Sequence, residues 1–71
     1  QLFTGDQIQK ALQQAILRLP PKQRLVFNMR YFDQIRYQDM SRILGTSEGA
    51  LKASYHLAAA KVEETLKELL L

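Results

Sequence analysis

The sequence predicts an all-α fold, a small domain of four to five helices that contains a helix-turn-helix. Apolar residues recur at steps of three and four along most of the 71 residues. Residues that start and end helices divide this pattern into segments. Between residues 37 and 60, a short helix, a glycine turn and a longer helix follow one another, as in a helix-turn-helix. We expect residues 1–71 to form a single domain that is a piece of a longer chain, because 71 residues are few and the first is not methionine.

The first helix has a clear predicted start. Thr4 and Gln7 have the spacing of a capping box, and Phe3 and Ile8 have that of a hydrophobic staple. Helical spacing then predicts one buried stripe, made of Ile8, Leu12 (or Ala11), Ala15, Ile16 and Leu19. The helix is expected to end at Pro20 and Pro21, which lack a backbone N–H and clash with the preceding turn.

The same prolines suit the first turn of a second helix, where the missing N–H would have no partner in any case. That helix is expected to end near Tyr31. Its buried side is expected to be formed by Val26, Phe27, Met29 and Arg30. Residues 32–36 are predicted to be a short connection. A brief third helix is predicted over 37–44, and Gly45 ends it because glycine readily adopts the left-handed conformation.

The fourth helix is predicted to be the longest. Ser47 is a good N-cap, and Glu48 complements the positive end of the helix dipole. One continuous apolar seam follows, formed by Leu51, Tyr55, Ala58, Val62, Leu66 and Leu69. We therefore expect a helix that reaches the late sixties.

Composition excludes several classes of function. Cysteine is absent and histidine occurs once, which excludes disulfide scaffolds, thiolate zinc sites, cysteine nucleophiles and multi-histidine metal sites. No apolar run approaches the ~20 residues of a membrane span, and no signal peptide opens the chain, so we expect a cytoplasmic protein without a membrane partner. Asp33 and Asp39 have no nucleophile, metal or pocket around them. We expect a non-enzymatic binding module without a cofactor or a small-molecule substrate.

Positive charge is concentrated in the middle of the chain. Residues 22–56 hold six Lys and Arg against three Asp and Glu. Their net charge therefore equals that of the whole chain, +3, and the charges in the rest of the chain cancel. Ser41 is small where the two helices of the helix-turn-helix would cross, Gly45 makes the turn, and Leu51 would point inward. Such a unit presents the outer side of its second helix to the DNA major groove. The outward positions are then Glu48, Lys52, Ala53, His56 and Ala59.

Two stretches carry a resemblance to a known family. Residues 19–32, LPPKQRLVFNMRYF, resemble the "LPxKQRxVFxLRYF" opening of region 4 of bacterial sigma factors. Residues 37–52 are similar to that family's "YxEIAxILGxSxGTVK". The resemblance covers residues 19–62 and is greatest to the extracytoplasmic-function, or group IV, sigma factors. It implies a winged-helix-like or sigma region 4 type of domain that binds the promoter −35 element while held on the β-subunit flap of core RNA polymerase. It also implies that an anti-sigma factor can mask the same surfaces.

The resemblance implies roles for individual residues. Lys52 matches the basic residue of "GTVK", and a lysine can pair with guanine O6 and N7 or with a phosphate. Ala53 and His56 match positions of the family's "SRLHRAR" on the DNA side. The residues that open the recognition helix, where backbone N–H groups can hold a phosphate and Glu48 could accept from cytosine N4, are Ser47, Glu48, Gly49 and Ala50.

The chain departs from the family pattern at two places. Ser54, Leu57 and Ala59 replace three arginines of "SRLHRAR", which predicts weak autonomous affinity for DNA. Arg36 replaces a serine before the third helix, where arginine is a poor N-cap whose charge opposes the helix dipole. We therefore expect Arg36 to contact a DNA phosphate.

Two alternatives remain open from the sequence. One is a helix-turn-helix regulator of the LuxR type, against which the Leu-Pro-Pro opening argues. The other is a protein-interaction module with a weakened DNA face, favoured by the lost arginines and by Leu57.

Four aromatic residues are expected in the core, namely Phe27, Phe32, Tyr37 and Tyr55. Arg24 and Arg30 are expected to be structural, pairing with Asp33 or with helix ends.

Overall fold

Local capping interactions define the helices much as the sequence predicts. In residues 2–71, which the computed structural model describes, the helices are α1 (Gly5–Leu17), α2 (Pro21–Tyr31), α3 (Tyr37–Leu44) and α4 (Glu48–Leu70). The Thr4 hydroxyl accepts from the Gln7 N–H, and the Gln7 side chain accepts from the Thr4 N–H. The predicted capping box is therefore present, and the all-α fold is confirmed.

Arginine side chains satisfy carbonyl groups where the chain leaves a helix or a loop. α1 ends at Leu17, three residues before Pro20, and the Arg24 guanidinium donates to the Leu17 carbonyl at 3.3 Å. The Arg30 guanidinium donates to the Ile35 carbonyl at 3.1 Å. The prediction that both arginines are structural is consistent with these contacts, although Arg30 bonds a loop carbonyl and not Asp33.

The turn of the helix-turn-helix is built on Gly45. Its φ of 63° lies in the left-handed region, and its N–H donates to the Ser41 carbonyl at 2.9 Å. A residue with a Cβ would be strained in that conformation, so the glycine is required here by the backbone itself. The chain then extends to Ser47, which caps α4.

The 23-residue α4 is the element on which the other three helices pack. Its length gives the molecule an elongated shape, 42 × 18 × 17 Å. A bundle cluster joins α1, α2 and the middle of α4 through Ala15, Ile16, Leu19, Phe27, Ala58 and Val62. A second group, the helix-turn-helix cluster, joins α2, α3 and the start of α4 through Val26, Met29, Met40 and Leu51. Tyr55 packs against both clusters, which are therefore continuous.

Three apolar residues are more exposed than the sequence predicts. Ile8 is 44% exposed, because Phe3, Gln7 and Ala11 line the side of α1 that faces the last turn of α4. Phe32, the C-cap of α2, is 49% exposed, and its ring contacts that of Tyr31, which is equally exposed. Leu69 lies at the edge of the seam and is 37% exposed. The predictions that Ile8 and Leu69 belong to buried stripes, and that Phe32 is a core residue, are wrong.

None of the four helices within residues 2–71 combines the length and the apolar character that a membrane crossing requires.

Candidate nucleic-acid interface

The start of α4 is fixed by the residues on its inner side. Leu51 is 2% exposed and packs with Val26 and Met29 of α2 and with Met40 of α3. Met40 is fully buried. Because one side of the first two turns of α4 is anchored in this cluster, the opposite side must face solvent.

The residues that the sequence proposed for contact with DNA lie on this solvent side. All seven of them in and next to α4 are exposed, namely Ser47, Glu48, Gly49, Ala50, Lys52, Ala53 and His56. We call four of them, Glu48, Lys52, Ala53 and His56, the α4 ridge. Ala59 does not extend the ridge, because it is only partly exposed and packs against the bundle cluster. Its predicted outward position is wrong.

Backbone N–H groups are available at the first turn of α4. The Ser47 hydroxyl accepts from the Ala50 N–H at 3.2 Å, and the Leu51 N–H bonds the Ser47 carbonyl. The N–H groups of Glu48 and Gly49 precede the first intrahelical bond and have no helical acceptor. An anion at this end would therefore meet two N–H donors and the positive end of the helix dipole.

Lys52 reaches towards the first residue of α3. Its ammonium lies 5.7 Å from the centre of the Tyr37 ring. The Arg30 guanidinium carbon lies 4.9 Å from the same ring centre. The ion pairs found within residues 2–71 use other cations than Lys52. These contacts place the α4 ridge next to the start of α3, where Arg36 lies.

Arg36 forms an ion pair within the chain that was not predicted from the sequence. It is the N-cap of α3 without a side-chain cap bond, as expected for arginine, and its side chain is 74% exposed. Its Nε donates to Asp39 Oδ2 at 3.2 Å, and Arg42 bonds the other oxygen of the same carboxylate. Hydrogen bonds from Arg42 and Arg36 lower the pKa of Asp39 below its ordinary value, so this carboxylate is ionised at neutral pH. The i, i+3 spacing of these three residues was the available signal.

An aromatic hollow lies beside the ridge. All three tyrosines of the chain line it, together with Arg30 and Gln34. The Tyr55 ring stacks on Phe27 with centroids 5.5 Å apart, and burial raises the pKa of its phenol above 10.0. Tyr55 and Tyr37 are only partly buried, but both pack against the core as expected.

No group of His, Asp and Glu side chains within residues 2–71 is arranged to hold a metal ion. The chemistry that this face offers is that of exposed cations, backbone donors and small side chains around one helix. These groups suit a polyanion such as DNA. The helix-turn-helix geometry suits the DNA major groove, which is wide enough to admit an α-helix.

Comparison with known proteins decides the family. Residues 9–62, well over half of the chain, match the family described as "Sigma-70, region 4". The chain belongs to the sigma-70 region 4 family. This match places the helix-turn-helix and the whole α4 ridge inside the family's defining segment.

This sigma region 4 domain is also similar to three curated sigma factors. It is 35% identical over 65 residues to the RNA polymerase sigma-E factor of Streptomyces avermitilis, covering 90% of this chain and 36% of that protein. The sigma-E factor of Streptomyces coelicolor is 34% identical over 64 residues, covering 89% and 36%. That of Streptomyces antibioticus is 36% identical over 56 residues, covering 79% and 31%.

The chain spans about a third of the length of these relatives. The family match and the relatives confirm the resemblance to region 4 of an extracytoplasmic-function sigma factor. Sigma factors are non-enzymatic initiation factors of transcription, and the LuxR-type alternative is not supported by these findings.

Proposed function

We propose that this sigma region 4 domain binds the −35 element of a promoter and thereby directs RNA polymerase to initiate transcription. The observation that carries the proposal is the exposed α4 ridge above a buried Leu51 and a left-handed Gly45. That arrangement holds the first turns of α4 outward on a rigid support, as a major-groove helix requires. Lys52 and His56 lie one turn apart on this ridge, so together they could reach neighbouring base pairs.

The proposed division of labour follows from the chemistry of each group. Lys52 contacts a base edge, and Glu48 accepts from a cytosine N4. The N–H groups of Glu48 and Gly49, with Arg36 at the start of α3, contact phosphates. Ala53 allows close approach of the helix to the groove because its side chain is a single methyl group.

Autonomous affinity should be low, because the three arginines expected in the family pattern are Ser54, Leu57 and Ala59 here. Leu57 is 55% exposed, and its aliphatic side chain has neither a donor nor a charge with which to bind a phosphate. Attachment to core polymerase would raise the local concentration of the domain at the promoter and compensate for this weakness. We propose the β-subunit flap as the attachment point.

An apolar hollow beside the ridge supports a second, protein-binding role. It has a volume of about 260 Å³ and is lined by Leu25, Leu44 and Leu51, with Lys22 at its rim. Leu25 is 48% exposed, so this surface is accessible. It could receive the polymerase flap or an anti-sigma factor. If such binding occurred without any affinity for promoter DNA, the protein-interaction module would be the correct assignment.

Replacing Lys52 tests the proposed function. Lys52→Ala is expected to reduce discrimination at one base pair of the −35 element by about 1–3 kcal/mol, which is roughly 5- to 150-fold. The other positions should keep their preferences. The measurement is the relative affinity of the holoenzyme for a library of −35 elements with single substitutions.

A lysine outside the ridge provides the control. Lys61 lies in the same helix and is exposed, but it lines a different groove with Arg18 and Glu68. Lys61→Ala should leave the preferences unchanged. A Lys52→Ala protein with wild-type preferences at every position would refute the base contact, and equal weakening at all positions would make Lys52 a phosphate contact.

Replacing Arg36 tests the proposed phosphate contact. Arg36→Ser should weaken binding to all −35 sequences by the same factor and reduce the slope of log affinity against log salt by about 1. Serine should also supply the missing N-cap of α3, worth ~0.5–2 kcal/mol, at the loss of an exposed ion pair that contributes little. We therefore expect thermal unfolding of Arg36→Ser at or above the wild-type temperature.

Arg42 allows a matched control, because it bonds the same Asp39 carboxylate and is equally exposed. Arg42→Ala removes a partner of Asp39 without changing the N-cap of α3. If Arg36→Ser destabilised the fold and left the salt slope unchanged, Arg36 would be a structural residue.

A further inference from the structure

Tyr37 is in contact with the residue proposed to read a base. The Lys52 ammonium lies 5.7 Å from the ring centre, within the distance at which a cation is attracted by an aromatic ring. Tyr37 is the first residue of α3, and its ring packs against the helix-turn-helix cluster. The contact therefore joins an exposed side chain of α4 to a ring that the core supports.

The ring itself is held in place from a second direction. The Arg30 guanidinium lies 4.9 Å from its centre and also donates to the Ile35 carbonyl at 3.1 Å. Arg30 is partly buried, in contrast to Lys52. A guanidinium that is tied to a backbone carbonyl has little freedom, so it limits the positions that the Tyr37 ring can take.

A free lysine side chain samples many rotamers, and ordering it on a base edge costs conformational entropy. A side chain that already lies over a fixed ring loses less freedom when it binds. The contact also draws the Lys52 ammonium towards Tyr37, the first residue of α3.

We propose that Tyr37 is a positioning residue, whose ring orients Lys52 and thereby determines how sharply the domain discriminates at the base pair that Lys52 contacts. This inference rests on the proposed function of Lys52. It assigns no contact with DNA to Tyr37 itself. Because the aromatic ring makes the contact with Lys52, Tyr37→Phe should keep the positioning effect and Tyr37→Leu should remove it.

A double-mutant cycle in holoenzyme tests the inference. The proteins are wild type, Tyr37→Leu, Lys52→Ala, the double variant and Tyr37→Phe. The measurement is the affinity ratio between a −35 element and its substitution at the Lys52-dependent base pair. Tyr37→Leu is expected to lower this ratio about two- to fivefold, the range for an exposed cation–π contact. It should have no effect on the ratio in the Lys52→Ala background, and Tyr37→Phe should retain the wild-type ratio.

The outcomes separate the inference from the proposed function. If Lys52→Ala changes the ratio but Tyr37→Leu does not, or lowers it equally in both backgrounds, the positioning role is refuted and the base contact stands. If Lys52→Ala itself leaves the ratio unchanged, both are refuted.

A measurement on the wild-type chain covers the case in which Tyr37→Leu does not fold. The ring current of Tyr37 should displace the NMR signals of the Lys52 side-chain methylene protons upfield from those of Lys61, which is exposed in the same helix. Signals of Lys52 and Lys61 at the same position would overturn the inference.

Discussion

Leu51→Ala is expected to lower the free energy of unfolding by about 2–5 kcal/mol. Leu51 is 2% exposed and contacts Val26, Met29 and Met40, so its removal opens a cavity at the crossing of the helix-turn-helix. A domain of this size commonly has only ~3–5 kcal/mol of stability from its core. The variant should therefore be largely unfolded near physiological temperature. Urea unfolding followed by circular dichroism at low temperature measures the difference.

Leu57 provides a control with the same substitution in the same helix. It is 55% exposed, so Leu57→Ala should change the free energy of unfolding by no more than about 0.5 kcal/mol. If Leu51→Ala and Leu57→Ala cost the same, the inward side of α4 would be wrongly placed, and the outward position of the ridge would no longer follow.

Binding to promoter DNA is expected to weaken by about 40- to 500-fold when salt rises from ~50 to ~200 mM. This range corresponds to ~3–5 phosphate contacts, because each displaced counterion contributes to the slope. Residues 22–56 hold six Lys and Arg against three Asp and Glu, a charge balance that leaves room for about that number of neutralised phosphates. Fluorescence anisotropy measures the slope of log affinity against log salt for a −35 duplex and for a scrambled duplex.

Lys67 serves as the control for this measurement, since it lies near the end of α4 and pairs with Glu63. Lys67→Ala should leave the slope unchanged, whereas Arg36→Ser should reduce it. If the duplex bound without salt dependence, or failed to bind at low salt, the domain would be a protein-interaction module and not a promoter reader.

Helix boundaries were predictable because their causes are local in sequence. The Thr4–Gln7 capping box, Pro21 at the start of α2, Gly45 and the Ser47 cap each depend on residues within four positions of one another. Burial at the ends of helices was less predictable, because it depends on where a neighbouring helix passes. Ile8 and Leu69 follow the helical period but lie at the ends of the contact between α1 and α4.

In the candidate site too, features with causes local in sequence were predictable, and those that depend on helix packing were not. Solvent exposure of Lys52, Ala53 and His56 followed from the apolar seam on the opposite side of α4. The partner of Arg36 was within reach of sequence reasoning, since Asp39 is three residues away. The contact between Lys52 and Tyr37 was not, because it joins residues on different helices and depends on how α3 crosses α4.

Site-directed crosslinking tests most directly whether the α4 ridge lies in the −35 element. The chain has no cysteine, so Ala53→Cys or Gln13→Cys gives one attachment point for a photoactivatable group within it. Ala53 lies on the ridge, and Gln13 is exposed on α1, away from it. In a holoenzyme–promoter complex, the group at position 53 should crosslink to bases of the −35 element, and the group at position 13 should not. Crosslinks to the −35 element from position 13 alone, or from neither position, would contradict the account.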